Sequence, residues 1–158
     1  MLLAADGPKR FDRLAVVAPY MQLEAEPAPP NPEWLEALRA DWPGFIVPFM
    51  HKVFTEPDSA DVIAEMIAIG LEATPEVAVT QELELDWERP ARLLGAITCP
   101  TLVVHGDADA GVPVALAERI VAALPNARLE LIPGGGHRPD IRTPERVNPL
   151  LLDFLLNA

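Results

Sequence analysis

Apolar residues form three short runs along the chain, and elsewhere they recur every three or four positions. The runs occupy residues 14–18, 101–105 and 128–132 and predict buried parallel strands. The first two are nearly continuous in apolar residues, as expected when both faces of a sheet are covered. Residues 114–124, between the second and third runs, have the spacing of an amphipathic helix. Strand, helix and strand in this order predict a right-handed βαβ unit. A last helix is predicted from about residue 143 to residue 156, with Thr143 as its cap and Pro144 in its first turn.

Residues 21–89 have a different pattern. The proline-rich residues 26–32 predict a stiff, extended loop, because proline fixes φ and lacks an amide hydrogen. Helical spacing then occurs in four stretches: residues 33–40, 45–54, 59–71 and 75–85. Asp58 or Ser59 is expected to cap the third of these helices. Three segments follow from the whole pattern: residues 1–20, which end a helix and contain the first strand, a helical insertion over 21–89, and a C-terminal α/β unit over 90–158.

The excess of acidic residues argues against binding to nucleic acid or to anionic membranes. The 24 acidic residues outnumber the 12 basic ones, so the formal net charge is −12, and both nucleic acid and anionic membrane surfaces would be repelled. The longest apolar runs are too short to span a bilayer. The first ten residues lack the basic leader of a secretory signal, and the single cysteine, Cys99, cannot form an internal disulfide. We therefore expect a cytoplasmic protein that binds neither nucleic acid nor membrane.

Candidate chemistry follows the second and third predicted strands. Residues 106–113 read Gly-Asp-Ala-Asp-Ala-Gly-Val-Pro, and residues 133–137 read Pro-Gly-Gly-Gly-His. Ligands of open α/β sheets bind at the carboxyl ends of the strands, where an acid from the first loop can meet His137 from the second. A carboxylate that accepts a hydrogen bond from one imidazole nitrogen leaves the other nitrogen free to act as a base.

These two loops resemble those of the α/β-hydrolase family. In that family G-x-x-D-x-x-V-P supplies the acid of a catalytic triad, and G-x-G-H supplies its histidine. By position Asp109 is the acid and His137 is the base, whereas Asp107 follows Gly106 too closely to match. The resemblance implies an α/β fold class. It would be the C-terminal part of an α/β-hydrolase fold, with about three parallel strands, flanking helices and residues 21–89 as a helical cap.

The family's nucleophile is missing from this sequence. Its serine lies on a G-x-S-x-G turn ahead of the acid and the histidine, and no such turn occurs here. The single serine, Ser59, reads as a helix cap, and Cys99 stands at the wrong end of its strand to replace it. The resemblance implies that the serine and the oxyanion hole lie before Met1, the serine by roughly ten residues.

Two function hypotheses follow. In the first, the full-length enzyme hydrolyses a small or medium-sized carboxylic ester and this chain is a truncated, inactive portion, although cleavage of an epoxide, a lactone or a C–C bond stays open. In the second, the chain is a non-catalytic half-fold that pairs with a partner chain supplying the missing strands. In the isolated chain the apolar run at residues 14–18 would form an unpaired edge, so we expect the chain to dimerise through that edge, to aggregate or to need a complementing N-terminal half.

No metal ion or other cofactor is expected. His51 and His105, together with Asp107 and Asp109, lack the sequence spacing of metal ligands. The three tryptophans are expected to pack within the helical insertion, with some contact to an acyl substrate left open: Trp34, Trp42 and Trp87.

Overall fold

A parallel three-stranded sheet forms the centre of the fold. The computed structural model describes residues 1–7, 9–21, 23, 31–84 and 92–157. The strands are β1 (Leu14–Val17), β2 (Thr101–Gly106) and β3 (Ala127–Ile132), in the order β1-β2-β3. Thr101 pairs with Leu14 on one side and with Ala127 on the other, so the strands begin level. Their carboxyl ends therefore share one edge, and the α/β fold class and all three predicted strands are confirmed.

Helices cover both faces of the sheet. Successive residues of β2 alternate between the faces, as the pleat requires. Val103 packs against Ala117 and Ile120 of α6 (Val114–Ala123), on the face that also holds α1 (Leu2–Asp6) and a 3-10 turn (Leu94–Ala96). Leu102 and Val104 pack on the opposite face, against α8 (Pro144–Leu156). All six residues of β2 are buried, and each fully buried Leu or Val side chain stabilises the fold by about 1.5–3 kcal/mol.

Residues 31–84, which the structure describes, contain four helices: α2 (Pro32–Ala40), α3 (Trp42–Val53), α4 (Ala60–Glu72) and α5 (Pro75–Glu84). We call residues 32–84 the helical segment. Asn31 caps α2 by accepting from the amide of Glu33 at 2.9 Å, and Asp41 caps α3 by accepting from the amide of Gly44 at 2.8 Å. The helices predicted in this region are present with ends shifted by a few residues.

Two predicted caps lack their hydrogen bonds. Ser59 precedes α4 and Thr143 precedes α8, as expected, but neither hydroxyl accepts from the first turn of its helix. Instead, Oγ of Ser59 donates to the carbonyl of Glu56 at 2.7 Å, and Oγ1 of Thr143 donates to the carbonyl of Pro139 at 3.0 Å. Each hydroxyl thus binds a carbonyl of the preceding turn, an alternative that competes with capping. The other candidate cap, Asp58, has a left-handed backbone with φ of 60°.

Aromatic packing organises the helical segment. The ring of Phe45 stacks on Trp42 at 5.8 Å between centroids and meets the edge of Trp34 at 5.9 Å. Nε1 of Trp42 also donates to the carbonyl of Gly70 at 3.2 Å, which ties α3 to α4. Trp87 and most of the proline-rich loop lie outside the described residues. Within the part of the chain that the structure describes, no helix is long and apolar enough to cross a bilayer.

Candidate active site

The acid loop, residues 107–113, is organised around the carboxylate of Asp109. Oδ1 of Asp109 accepts from the amides of Gly111 and Val112, at 2.7 and 2.8 Å. The side chain accepts from its own loop in the manner of an Asx turn, and it is fully buried. This turn satisfies Oδ1 within the loop and leaves Oδ2 to face the neighbouring strand.

Asp109 meets His137 at the carboxyl end of the sheet. Oδ2 of Asp109 lies 2.8 Å from Nδ1 of His137. A carboxylate only accepts, so the hydrogen lies on Nδ1, and Nε2 is the nitrogen that can take a proton. The His137 side chain keeps 22% of its surface exposed, whereas Asp109 has none. The predicted meeting of these two residues is present, and the catalytic roles of both stay predictions.

Asp107 has a different partner. Its Oδ1 accepts from the amide of Gly134 at 2.6 Å, and the residue is exposed. Asp107 therefore joins the acid loop to the loop that carries His137 without touching the imidazole. The position of Asp109, three residues after Gly106, identified the partner of His137 correctly.

His105 is a member of this cluster that the sequence did not reveal. It is fully buried at the end of β2, and its Nε2 lies 2.9 Å from the carbonyl of Val112 and 3.4 Å from Oδ2 of Asp109. A carbonyl only accepts, so Nε2 carries the hydrogen, and Nδ1 has no hydrogen-bond partner among the described residues. His105 thus holds the acid loop against the sheet. The sequence feature that could have indicated this role is the placement of a histidine in the apolar run at residues 101–105.

The histidine loop, residues 134–137, passes directly over the end of β2. The amide of Ala108 donates to the carbonyl of Gly135 at 3.0 Å, and Gly134 has a φ of +71°, which favours glycine. A Cβ added at Gly106 would collide with the carbonyl oxygens of Gly135 and Gly136. The absence of a side chain at residue 106 therefore allows the two loops to approach closely.

The helical segment also contacts the histidine loop. The amide of His137 donates to the carbonyl of Val53 at 3.3 Å, and the amide of Gly136 donates to Oε1 of Glu56 at 2.7 Å. Both acceptors lie at or just after the end of α3. Sequence reasoning gave neither residue a role at His137, because contacts across 80 or more positions leave no local signal.

A cavity of about 330 Å³ opens beside His137. Its wall combines residues from the acid loop and the helical segment with Tyr20: Tyr20, Phe49, Lys52, Val53, Glu82, Gly111, Val112 and His137. Burial in this wall raises the pKa of the Glu82 carboxyl above its ordinary range. The cavity is mostly apolar with a few polar groups, which is usual for a small-molecule site.

The described residues bring neither Ser59 nor Cys99 into hydrogen-bond contact with His137. Ser59 is buried and donates to Glu56, whereas Cys99 packs in the core near the start of β2, as predicted. His51 is exposed on α3. Within the described ranges, no three His, Cys, Asp or Glu residues are grouped so that they could hold a metal ion.

Comparisons with known proteins identify the family of this chain. Residues 1–139 match the family described as serine aminopeptidase, S33. The chain is 44% identical to the non-heme haloperoxidase of Rhodococcus erythropolis over 63 residues, which are 39% of this chain and 23% of that protein. It is 40% identical to the serine hydrolase BPHL of Mus musculus over 63 residues, 40% of this chain and 22% of that protein.

Solved structures match over more of the chain. A thermophilic esterase from Thermogutta terrifontis superposes with a TM-score of 0.75 and 27% identity, covering 96% of this chain and 58% of the esterase. A hydrolase from Oleispira antarctica has a TM-score of 0.78 at 20% identity, covering 98% of this chain and 60% of that one. The chain thus spans less than two thirds of these proteins and about a quarter of the curated relatives. It belongs to the S33 serine aminopeptidase family of α/β-hydrolases.

Proposed function

We propose that this chain carries the acid and the base of a serine hydrolase that cleaves carboxylic esters. The observation that carries the proposal is the 2.8 Å contact between Oδ2 of Asp109 and Nδ1 of His137. Asp109 fixes the tautomer of the imidazole and stabilises the imidazolium, while Nε2 takes the proton of a serine hydroxyl. The partly exposed ring beside the 330 Å³ cavity is where such a serine and a substrate acyl group would meet.

The activity on esters and the role of the helical segment as a cap are parts of this proposal. The similarity to the Thermogutta terrifontis esterase supports carboxylic esters as the substrate class. Phe49, Lys52, Val53 and Glu82 line the cavity, which supports a role of the helical segment as its cap. The nucleophile and the oxyanion hole would come from sequence outside this chain, in a cytoplasmic enzyme.

A protein extended to include an upstream, in-frame G-x-S-x-G turn is the first test. It should hydrolyse p-nitrophenyl acetate, and His137→Ala should lower its kcat by about 10³-fold or more. The 158-residue chain alone should give no rate above a buffer blank, because on this proposal the oxyanion hole also comes from sequence outside it. Hydrolysis by the chain alone, with a serine-reactive phosphonate labelling Ser59, would contradict the proposal.

A second candidate function, a half-fold that pairs with another chain, is favoured by the burial of β1. All four residues of β1 are half-buried, whereas β2 is fully buried, and no described strand pairs with the outer edge of β1. An unpaired apolar edge is a template for another strand. Light scattering after size exclusion should show association that increases with concentration, and Val16→Lys should reduce it. A monomer at every concentration would count against this candidate.

A further inference from the structure

Residues 53–57, which we call the junction segment, begin at the last residue of α3, lead toward α4 and contact the chain around His137. The apolar side chains of Val53 and Phe54 pack in one cluster with Ile63, and Ile141 of α7 (Pro139–Arg142) lies against it. Three hydrogen bonds join the junction segment to the histidine loop and to α7. They run from His137 N to Val53 O at 3.3 Å, from Gly136 N to Glu56 Oε1 at 2.7 Å, and from Arg142 Nη2 to Pro57 O at 2.9 Å.

Glu56 makes the side-chain contribution to this contact. Its Oε1 accepts from Gly136, while its Oε2 is buried without a hydrogen-bond partner among the described residues. The hydroxyl of Ser59 donates to the carbonyl of Glu56 and thereby holds its backbone. A buried carboxylate oxygen without a partner is unfavourable, so local stability does not account for an acid at this position.

The histidine loop depends on hydrogen-bond acceptors outside the loop, such as Glu56. Three consecutive glycines precede His137, and glycine has more backbone freedom to lose on folding than any other residue. No side chain within the glycine run can hold the loop. The Gly136 amide lies directly before His137, so a shift of that peptide moves the imidazole relative to Asp109.

We infer that Glu56 is a positioning residue for His137. Its carboxylate anchors the Gly136 amide and so maintains the approach of Nδ1 of His137 to Oδ2 of Asp109. The alignment of the imidazole is then set from two sides, by Asp109 and by the junction segment. The inference rests on the proposed function only in taking His137 as the base.

Glu56→Ala and Glu56→Gln in the full 158-residue chain test this role, with Glu65→Ala as the matched control. Glu65 is an exposed glutamate on α4. The two readouts are hydrogen exchange of the Gly136 amide and the deshielded Nδ1 proton of His137, both measured by NMR. We expect Glu56→Ala to speed the exchange roughly tenfold and to remove the imidazole signal. Glu56→Gln, which keeps an acceptor oxygen, should retain both signals, and so should Glu65→Ala.

Gly136→Ala approaches the same contact from the other side. A Cβ there would lie 3.0 Å from both carboxylate oxygens of Glu56 and from Oγ1 of Thr55, so it should displace the carboxylate. We expect this variant to lose the imidazole signal as well. Glu56→Ala with both signals unchanged would overturn the inference. Loss of both signals in Glu65→Ala would also overturn it, because the effect would then not be specific to Glu56.

The NMR readouts need no substrate, so the inference and the proposed function can fail separately. In the extended protein, Glu56→Ala should lower kcat about tenfold with KM unchanged, since it displaces a base rather than a binding group. An extended protein without activity whose Glu56→Ala variant loses the imidazole signal would refute the proposed function alone. An active protein whose Glu56→Ala variant keeps both kcat and the signal would refute the inference alone.

Discussion

The acid loop and the histidine loop meet at the same edge of the sheet, but they are held in different ways. Asp109 organises its own loop by accepting from Gly111 and Val112, and it presents its second oxygen to His137. The histidine loop has three glycines, and within it only His137 has a side chain that makes a contact, with Asp109 itself. Its amides donate to acceptors elsewhere: Gly134 to Asp107, Gly135 to Ile132, Gly136 to Glu56 and His137 to Val53.

This difference has a consequence for how each loop responds to change. A loop that binds itself keeps its shape when its surroundings move, whereas a glycine-rich loop takes its shape from its neighbours. Substitutions far from His137 in sequence should therefore disturb the histidine, while the turn around Asp109 should be sensitive mainly to Asp109 and to the neighbouring His105. Three pairs of substitutions test this contrast.

The largest effect is expected for Gly106→Ala, because its new Cβ would collide with the backbone of the histidine loop. A carbonyl cannot rotate away as a flexible side chain can, so the free energy of unfolding should fall by about 3 kcal/mol. Gly95→Ala is the matched control, since a Cβ there has no atom within 4 Å and should change the value by less than about 0.5 kcal/mol. Urea unfolding at fixed protein concentration measures both. Equal stabilities for the two variants would show that the loops are not in close contact.

A smaller effect is expected for Asp109→Asn. Its carbonyl oxygen can still accept from Gly111 and Val112, but the amide group is a poor partner for Nδ1 of His137. We expect a loss of about 1.5–3 kcal/mol in the free energy of unfolding, because a charged hydrogen bond is removed. Asp107→Asn should cost less, about 0.5–1.5 kcal/mol, because that residue is exposed and binds one amide. Equal losses in urea unfolding would contradict the assignment of separate roles to these two acids.

The smallest effect is expected at the ion pair that follows His137. The hydrogen-bonded guanidinium of Arg138 lowers the pKa of Asp140 below its ordinary range. Stability from this pair is therefore present above the unfolded-state pKa of an aspartate and is lost as pH falls through the lowered pKa in the folded state. At neutral pH, Asp140→Asn should lower the free energy of unfolding by less than about 1 kcal/mol, because both side chains are partly exposed. In strong acid the substitution should not change the free energy of unfolding.

Arg138→Gln removes the other half of the same pair and is the companion variant. It should lose stability over the same pH range, as measured by unfolding from neutral to acidic pH. A cost for Asp140→Asn that persists unchanged in strong acid would show that the charge of Asp140 is not the source of its contribution.

Much of the fold could be predicted because its signals are local. Three apolar runs became the three strands, and the helices between them began and ended within a few residues of the expected positions. Asp109 and His137 could be identified for the same reason, since each follows an apolar strand in a short motif of turn-forming residues. The choice of Asp109 over Asp107 depended on their distances from Gly106, three residues and one residue, which can be counted in the sequence.

The sequence by itself determined the strands, the helices and the candidate pair, because neighbouring residues along the chain decide backbone periodicity and turn chemistry. Only the tertiary structure decided which side chains surround that pair. The partnership of Glu56 with Gly136 spans 80 positions, and the hydroxyls of Ser59 and Thr143 bind carbonyls instead of capping their helices. His105 became the support of Asp109, and β1 became half-buried while β2 was fully enclosed, although their compositions are alike. Burial and long-range hydrogen bonds depend on which elements pack together, and the pattern of neighbouring residues does not specify that packing.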